Sequence, residues 1–123
     1  MDNLKIVRKT YIYFENEEGP VKFFGFGVVQ LLKSINDFGS INLACKKLNL
    51  SYSKALKMIQ NCESIINKPI IIHQKGGSDR AGATLTKVGK DLINIWDEYT
   101  RDIDNTISKR NNKLKGDMLD LIK

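Results

Sequence analysis

The run Ser51-Tyr52-Ser53-Lys54, with Lys57 one turn on, holds the side chains of this 123-residue chain best suited to recognition chemistry. Two hydroxyls, a phenol and an ammonium offer donors, acceptors and a flat ring to base edges in a major groove. Ser51 is a good helix N-cap, so the run opens a helix. A helix N-terminus carries partial positive charge and favours acids there by roughly 0.3–1 kcal/mol each. Here the first turns hold Lys54 and Lys57 and no acid. Cations in that place cost stability unless an anion is normally present. A phosphate backbone supplies one, and exposed N–H groups add to the attraction. The plainer alternative is that Tyr52 packs on the preceding helix and the lysines are solvated.

Lys75-Gly76-Gly77-Ser78-Asp79-Arg80-Ala81-Gly82 is the second candidate. Its glycines and cations suit phosphate. No Gly-Lys-Ser/Thr ends the run, and a strand rather than a helix follows, which argues against a nucleotide P-loop. As the tip of a wing, the glycines keep the loop slim, and Lys75 and Arg80 carry charge to a DNA backbone or minor groove. A ligand-free β-turn is the alternative. Lys46 and Lys87 complete the cations assigned to the backbone. The other reactive types make no site. His73 is the only histidine, and Cys45 and Cys62 lie 17 positions apart with no CxxC. Both cysteines fall at inward helical positions. Asp97, Glu98, Asp102 and Asp104 read as a solvated helix face. No metal, cofactor or catalytic set is expected, and the chain reads as a non-enzyme.

The placement of charge supports a polyanion partner. The net charge is +6. Nine Lys/Arg and two acids fall between Ser40 and Lys90, a net +7, against eleven and twelve in the remainder. A basic segment between near-neutral ends is an electrostatic footprint for nucleic acid, although it also describes a solvated face. At 41% apolar and 28% charged, the composition is that of a water-soluble domain. The length allows one domain and needs no disulfide to fold. No apolar run reaches the ~18–20 residues of a membrane span, and the start lacks the features of a signal peptide. A cytoplasmic protein is expected.

Period and punctuation then place the elements. Lys5–Phe14 alternates and is rich in β-branched and aromatic types, Glu15–Pro20 reads as a six-residue turn, and Val21–Phe24 as the return strand. From Gly27 the period is helical, with Val28, Leu31, Leu32, Ile35 and Phe38 on one stripe. Gly39 stops that helix and Ser40 caps the next, which buries Ile41, Ala44, Cys45 and Leu48. Ser51 caps a third helix, which runs to about Asn67 with Ala55, Met58 or Ile59, Cys62 and Ile66 inward, before Pro69. Ile70–Ile72 and Ala83–Leu85 are strands around the Gly-rich loop. Thr86 caps a long helix whose stripe includes Leu92, Ile95 or Trp96, Tyr99, Ile103 and Ile107. That stripe outruns one small domain, so part of it should face another chain. Asn111-Asn112 and Gly116 should weaken the helix, leaving 117–123 as a short amphipathic tail.

Two helices joined by a tight turn and followed by a β-hairpin describe a winged helix-turn-helix. The predicted fold class is mostly α with small β: an N-terminal hairpin, a winged helix-turn-helix and a long C-terminal dimerisation helix. The chain is read as one domain, with the hairpin at 1–24, the winged helix-turn-helix at 25–85 and the long helix and tail at 86–123. Gly39-Ser40-Ile41, Ala44, Leu48, Ser51-Tyr52-Ser53-Lys54-Ala55, Gly76-Gly77, Gly82-Ala83 and Leu85-Thr86-Lys87-Val88-Gly89 resemble the N-terminal DNA-binding domain of the molybdate-dependent regulators, the ModE family. The resemblance spans roughly Val21 to Tyr99. More distantly, 40–63 is similar to LysR-type regulators. Leu56 stands where the ModE pattern usually has Trp, and the wing has fewer glycines. The resemblance implies a homodimer that represses or activates promoters.

The expected partners are double-stranded DNA and a second copy, with no membrane and no identifiable small-molecule effector. Ser51, Tyr52, Ser53 and Lys54 are assigned to bases. Lys46, Lys57, Lys75, Gly76, Gly77, Ser78, Arg80 and Lys87 are assigned to the backbone or minor groove. Leu92, Ile95, Trp96, Tyr99, Ile103 and Ile107 are assigned to dimerisation. Without an oxyanion-binding domain in these residues, molybdate binding by the family's route is not expected. The alternatives are a protein-interaction module on the same scaffold and, more remotely, a small enzyme.

Overall fold

The computed structural model describes residues 3–74 and 82–122. In chain order it has β1 (Tyr11–Asn16), β2 (Gly19–Gly25), α1 (Phe26–Phe38), α2 (Ile41–Leu48), α3 (Tyr52–Ile66), β3 (Ile71–His73), β4 (Ala83–Leu85) and α4 (Lys87–Ile122). β1 pairs with β2, and β3 with β4, both antiparallel. This is the expected mostly-helical winged helix-turn-helix.

The helix boundaries follow local chemistry. Gly39 sits in the left-handed region at φ 67° and sends its N–H back to the Ile35 carbonyl, ending α1. The Ser40 hydroxyl accepts the Leu43 N–H at 3.2 Å to start α2. Asn49 turns left-handed at the end of α2, and the Ser51 hydroxyl accepts the Lys54 N–H at 3.2 Å to start α3. α3 ends on left-handed Asn67, one residue before Lys68-Pro69.

Small residues let the helices approach. Ala44 and Ala55 are fully buried on the facing sides of α2 and α3. Around them pack Leu31, Leu32 and Ile35 of α1, Ile59 and Cys62 of α3, Ile70, Ile71 and Leu85 at the wing root, and Trp96 of α4. Phe38 departs from the predicted stripe: it is exposed, with the Lys47 ammonium 5.7 Å from its ring centre.

Three elements differ in extent from their sequence reading. The N-terminal turn is two residues long rather than six, because the Asn16 side-chain carbonyl accepts the Glu18 N–H at 2.9 Å and Gly19 adopts φ 115°. Asn16 and Gly19 thus pair across the turn, and Glu15 and Pro20 join the ladder. β1 correspondingly begins at Tyr11 rather than Lys5. α4 does not yield at Asn111-Asn112 or Gly116 but continues to Ile122. A helical glycine costs only about 1 kcal/mol, nothing crowds Gly116, and the Lys113–Asp117 pair at 2.8 Å spans it. At 36 residues, α4 is about 54 Å long.

Candidate nucleic-acid interface

The wing root is fastened by two side chains and a backbone bond. One Glu63 carboxylate oxygen accepts the backbone N–H of Ile70 at 2.7 Å and of Ile71 at 3.4 Å, tying the end of α3 to β3. Thr86 donates its hydroxyl to the Pro69 carbonyl at 2.8 Å and accepts the Gly89 N–H at 3.1 Å, capping α4 against the start of β3. The Ala83 N–H reaches the Gly39 carbonyl at 2.9 Å, which fixes β4 to the α1–α2 turn. Gly89 permits the closest approach: a Cβ there would lie 2.6 Å from the Ile70 carbonyl oxygen. Beyond the Gln74 N–H to Gly82 carbonyl bond at 2.8 Å, the wing tip lies outside the described residues. The assignments of Lys75, Gly76, Gly77, Ser78 and Arg80 fall there.

The first turn of α3 lies at the opposite end of that helix from Glu63. Ser51, Tyr52, Ser53 and Lys54 are all exposed, and the turn carries no acid. Tyr52 is 45% exposed, so the helix pair does not absorb its ring. Lys57 is exposed one turn on, and Lys46 and Lys47 are exposed in the last turn of α2. Lys87 is exposed at the start of α4 and holds Asp91 at 2.9 Å, a contact that any phosphate would have to displace.

The fold also brings two cations to α3 that lie far from it in sequence. A groove of about 570 Å³ between the hairpin and α3 is lined by Lys9, Lys22 and Lys54, over a floor that includes Phe24, Leu50 and Met58. The Lys22 ammonium lies 4.7 Å from the centre of the Tyr11 ring. Lys9 and Lys22 belong to a segment of balanced charge, so counting charge along the chain could not single them out. No signal short of the hairpin's packing on α3 joins them to Lys54.

The dimerisation stripe divides in the structure. Trp96 is 7% exposed and meets the edge of Phe24 at 5.7 Å between ring centres, so it belongs to the core of its own protomer. Leu92 is half-buried and packs against the same core. Ile95 and Tyr99 are exposed, and Ile103 and Ile107 lie on the part of α4 beyond the body. The Lys33–Asp97 ion pair at 2.9 Å fixes α4 to α1 just before it leaves.

The remaining reactive groups are inert in this setting. Cys45 and Cys62 are buried free thiols. Burial raises the pKa of both, and for Cys62 burial and the adjacent Glu63 charge push it up to about 11. His73 is exposed at the end of β3. Among the described residues no group of three His, Cys, Asp or Glu side chains could hold a metal ion, and no helix is long and apolar enough to cross a membrane.

Comparison with known proteins agrees with this architecture. No family model matches the chain. It is 33% identical over 73 residues to the transcriptional regulator ModE of Haemophilus influenzae, which covers 59% of this chain and 29% of that protein. It is 30% identical over 92 residues to the molybdenum transport protein ModE of Azotobacter vinelandii, covering 72% of this chain and 34% of the relative. The chain thus spans about a third of the length of the curated relatives it matches. Among solved structures, ArgP from Mycobacterium tuberculosis superimposes with a TM-score of 0.51 at 13% identity, over 70% of this chain and 30% of that one. A LysR family transcriptional regulator gives the same score and coverage at 20% identity. The chain's homologues are therefore ModE transcriptional regulators, and its winged-helix fold is the one that LysR-type regulators share.

Proposed function

We propose that this chain is a transcriptional regulator that binds double-stranded DNA as a homodimer, with α3 in the major groove. The observation that carries the reading is the start of α3: exposed from Ser51 to Lys54, rich in hydroxyls, basic, and without an acid. Ser51, Tyr52, Ser53 and Lys54 meet base edges, and Lys46, Lys57 and Lys87 meet phosphates. Phosphate contacts set the register and base contacts set the sequence. The wing tip, with Lys75, Gly76, Gly77, Ser78 and Arg80, lies on the neighbouring backbone or minor groove. Its root is well placed for this, because Glu63 couples it directly to α3. Ile95 and Tyr99 are the exposed part of the dimer stripe, which half-buried Ile103 and Ile107 continue. The chain acts as one cytoplasmic unit, a binder rather than an enzyme, in which the hairpin, the winged helix-turn-helix and the long helix divide the labour. The homology to ModE transcriptional regulators supports DNA-binding regulation.

A two-fold dimer places its recognition helices about 34 Å apart, one DNA turn. Selection of bound sites from a random duplex pool should therefore enrich an inverted repeat with half-sites about 10 bp apart, centre to centre. A pool that binds without enrichment contradicts sequence reading by α3. The exposed aromatics of the hairpin favour a second reading, a protein-interaction module without DNA specificity. Failure to bind random duplex at low salt and micromolar protein would favour it.

A further inference from the structure

Six exposed apolar side chains of this molecule gather in one region. Val7, Tyr11, Ile12, Tyr13, Phe14 and Val21 all lie on or beside the β1–β2 hairpin, each between 38% and 62% exposed. Monomeric proteins seldom leave such a cluster uncovered, and a lone two-stranded hairpin is marginal in water. The two strands differ in what they leave open. β2 is anchored: Phe24 is buried against Trp96, Gly25 leads into α1, and Pro20 has no N–H to offer on its edge. β1 pairs with β2 and, among the described residues, with no other strand. Its central residues, Tyr11–Phe14, carry neither charge nor proline. The irregularity in the ladder places its extra residue, Phe23, on β2, so β1 itself runs without an insertion. An uncharged, apolar open edge of this kind is a template for another strand.

The sequence around that edge specifies which strand. Lys5, Arg8 and Lys9 precede the aromatic centre, and Glu15, Glu17 and Glu18 follow it. Laid parallel, two such segments set like charges together. Laid antiparallel they are self-complementary, as a closed two-fold interface requires. A two-fold at Tyr13 sets Phe14 opposite the partner's Ile12 and brings Glu17 to the partner's Lys9.

We propose that the open edge of β1 pairs antiparallel with β1 of a second copy, about a two-fold at Tyr13, to form a four-stranded sheet across the dimer. This rests on the homodimer reading above and adds a contact surface that the α4 stripe does not provide. The pairing covers the hairpin's apolar centre and neutralises its two charged ends.

The test uses the full chain. Facing residues across an antiparallel pair lie about 4.5–5.5 Å apart at Cα, within reach of a disulfide. Tyr13→Cys under mild oxidant should become mainly a disulfide-linked dimer, whereas the parent, whose two cysteines are buried, should not. Lys9→Glu and Glu17→Lys should each weaken dimerisation in sedimentation by roughly five-fold, since every change acts twice across the two-fold. The double variant Lys9→Glu/Glu17→Lys should regain the parent affinity, and this rescue decides if the two readouts differ. A parent that is dimeric, with neither cross-link nor rescue, overturns β1 pairing and leaves α4 as the interface. A parent that stays monomeric at all concentrations overturns the homodimer reading itself.

Discussion

The helix-turn-helix body and the two elements that leave it, the hairpin and the far half of α4, follow different rules. In the body, Ser40, Ser51 and Thr86 cap the helices, Glu63 holds the wing root, and the apolar faces meet each other. In β1 both faces are exposed, as are Leu114, Met118, Leu121 and Ile122 near the end of α4. The body exposes Lys46, Lys47, Lys54 and Lys57 on α2 and α3, which suits a hydrated polyanion. The outer elements expose apolar side chains among charged ones, which suits protein. One small chain thus separates a region finished within itself from a region that the proposed second copy would complete.

The joint between the regions is Trp96, and breaking it should have the largest effect. Trp96→Ala should lower unfolding stability by about 3–5 kcal/mol in denaturant titration, because it removes a large buried ring and leaves a cavity. A loss below about 1 kcal/mol would mean that α4 is not packed on Phe24 as described. Next comes Glu63→Ala, which strips a charged acceptor from two partly buried N–H groups and should cost about 1–3 kcal/mol. It should also loosen the wing root, detectable as faster amide exchange at Ile70 and Ile71.

The outer elements should answer differently. Ile107→Lys should leave unfolding of the monomeric protomer within about 0.5 kcal/mol of the parent, yet weaken dimerisation measured by sedimentation. Equal losses in both would erase the distinction between the regions. The smallest effect concerns the thiols. Raised pKa values keep Cys45 and Cys62 protonated, so alkylation of the folded chain should be slow at pH 8 and appear only with unfolding. For Cys62 the sign is that of an acid whose folded pKa lies above its unfolded one. Its contribution to stability is complete below about pH 9 and is lost as pH rises through about 11.

The same division explains what could be read from sequence. The body was legible because local chemistry specifies it: Gly39-Ser40 and Ser51 mark the helix ends, and the 3.6-residue period marks the buried faces. Phe38 broke the pattern because the period continues one turn past the core. The hairpin turn was overestimated because Glu15–Pro20 is polar throughout, and only the Asn16–Glu18 bond reveals how tight it is. Period alone could not choose between Ile95 and Trp96, which are adjacent on the helix. Phe24, more than 70 residues earlier, decides it by packing on the indole. The gathering of Lys9 and Lys22 beside Lys54 is a tertiary fact with no local sign. In α4, Asn and Gly lower helix propensity by too little to break a helix of this length.

On the proposed reading, Ser51–Lys54 of α3 meet base edges while the neighbouring Lys46, Lys57 and Lys87 meet a phosphate backbone. The most direct measurement is the affinity of the full chain for duplex DNA as a function of salt. With Lys46, Lys57 and Lys87 on each protomer of a dimer, about six phosphates are neutralised. Affinity should then fall roughly a thousandfold between 50 and 200 mM salt. An affinity that changed by less than about twofold over that range would contradict the account.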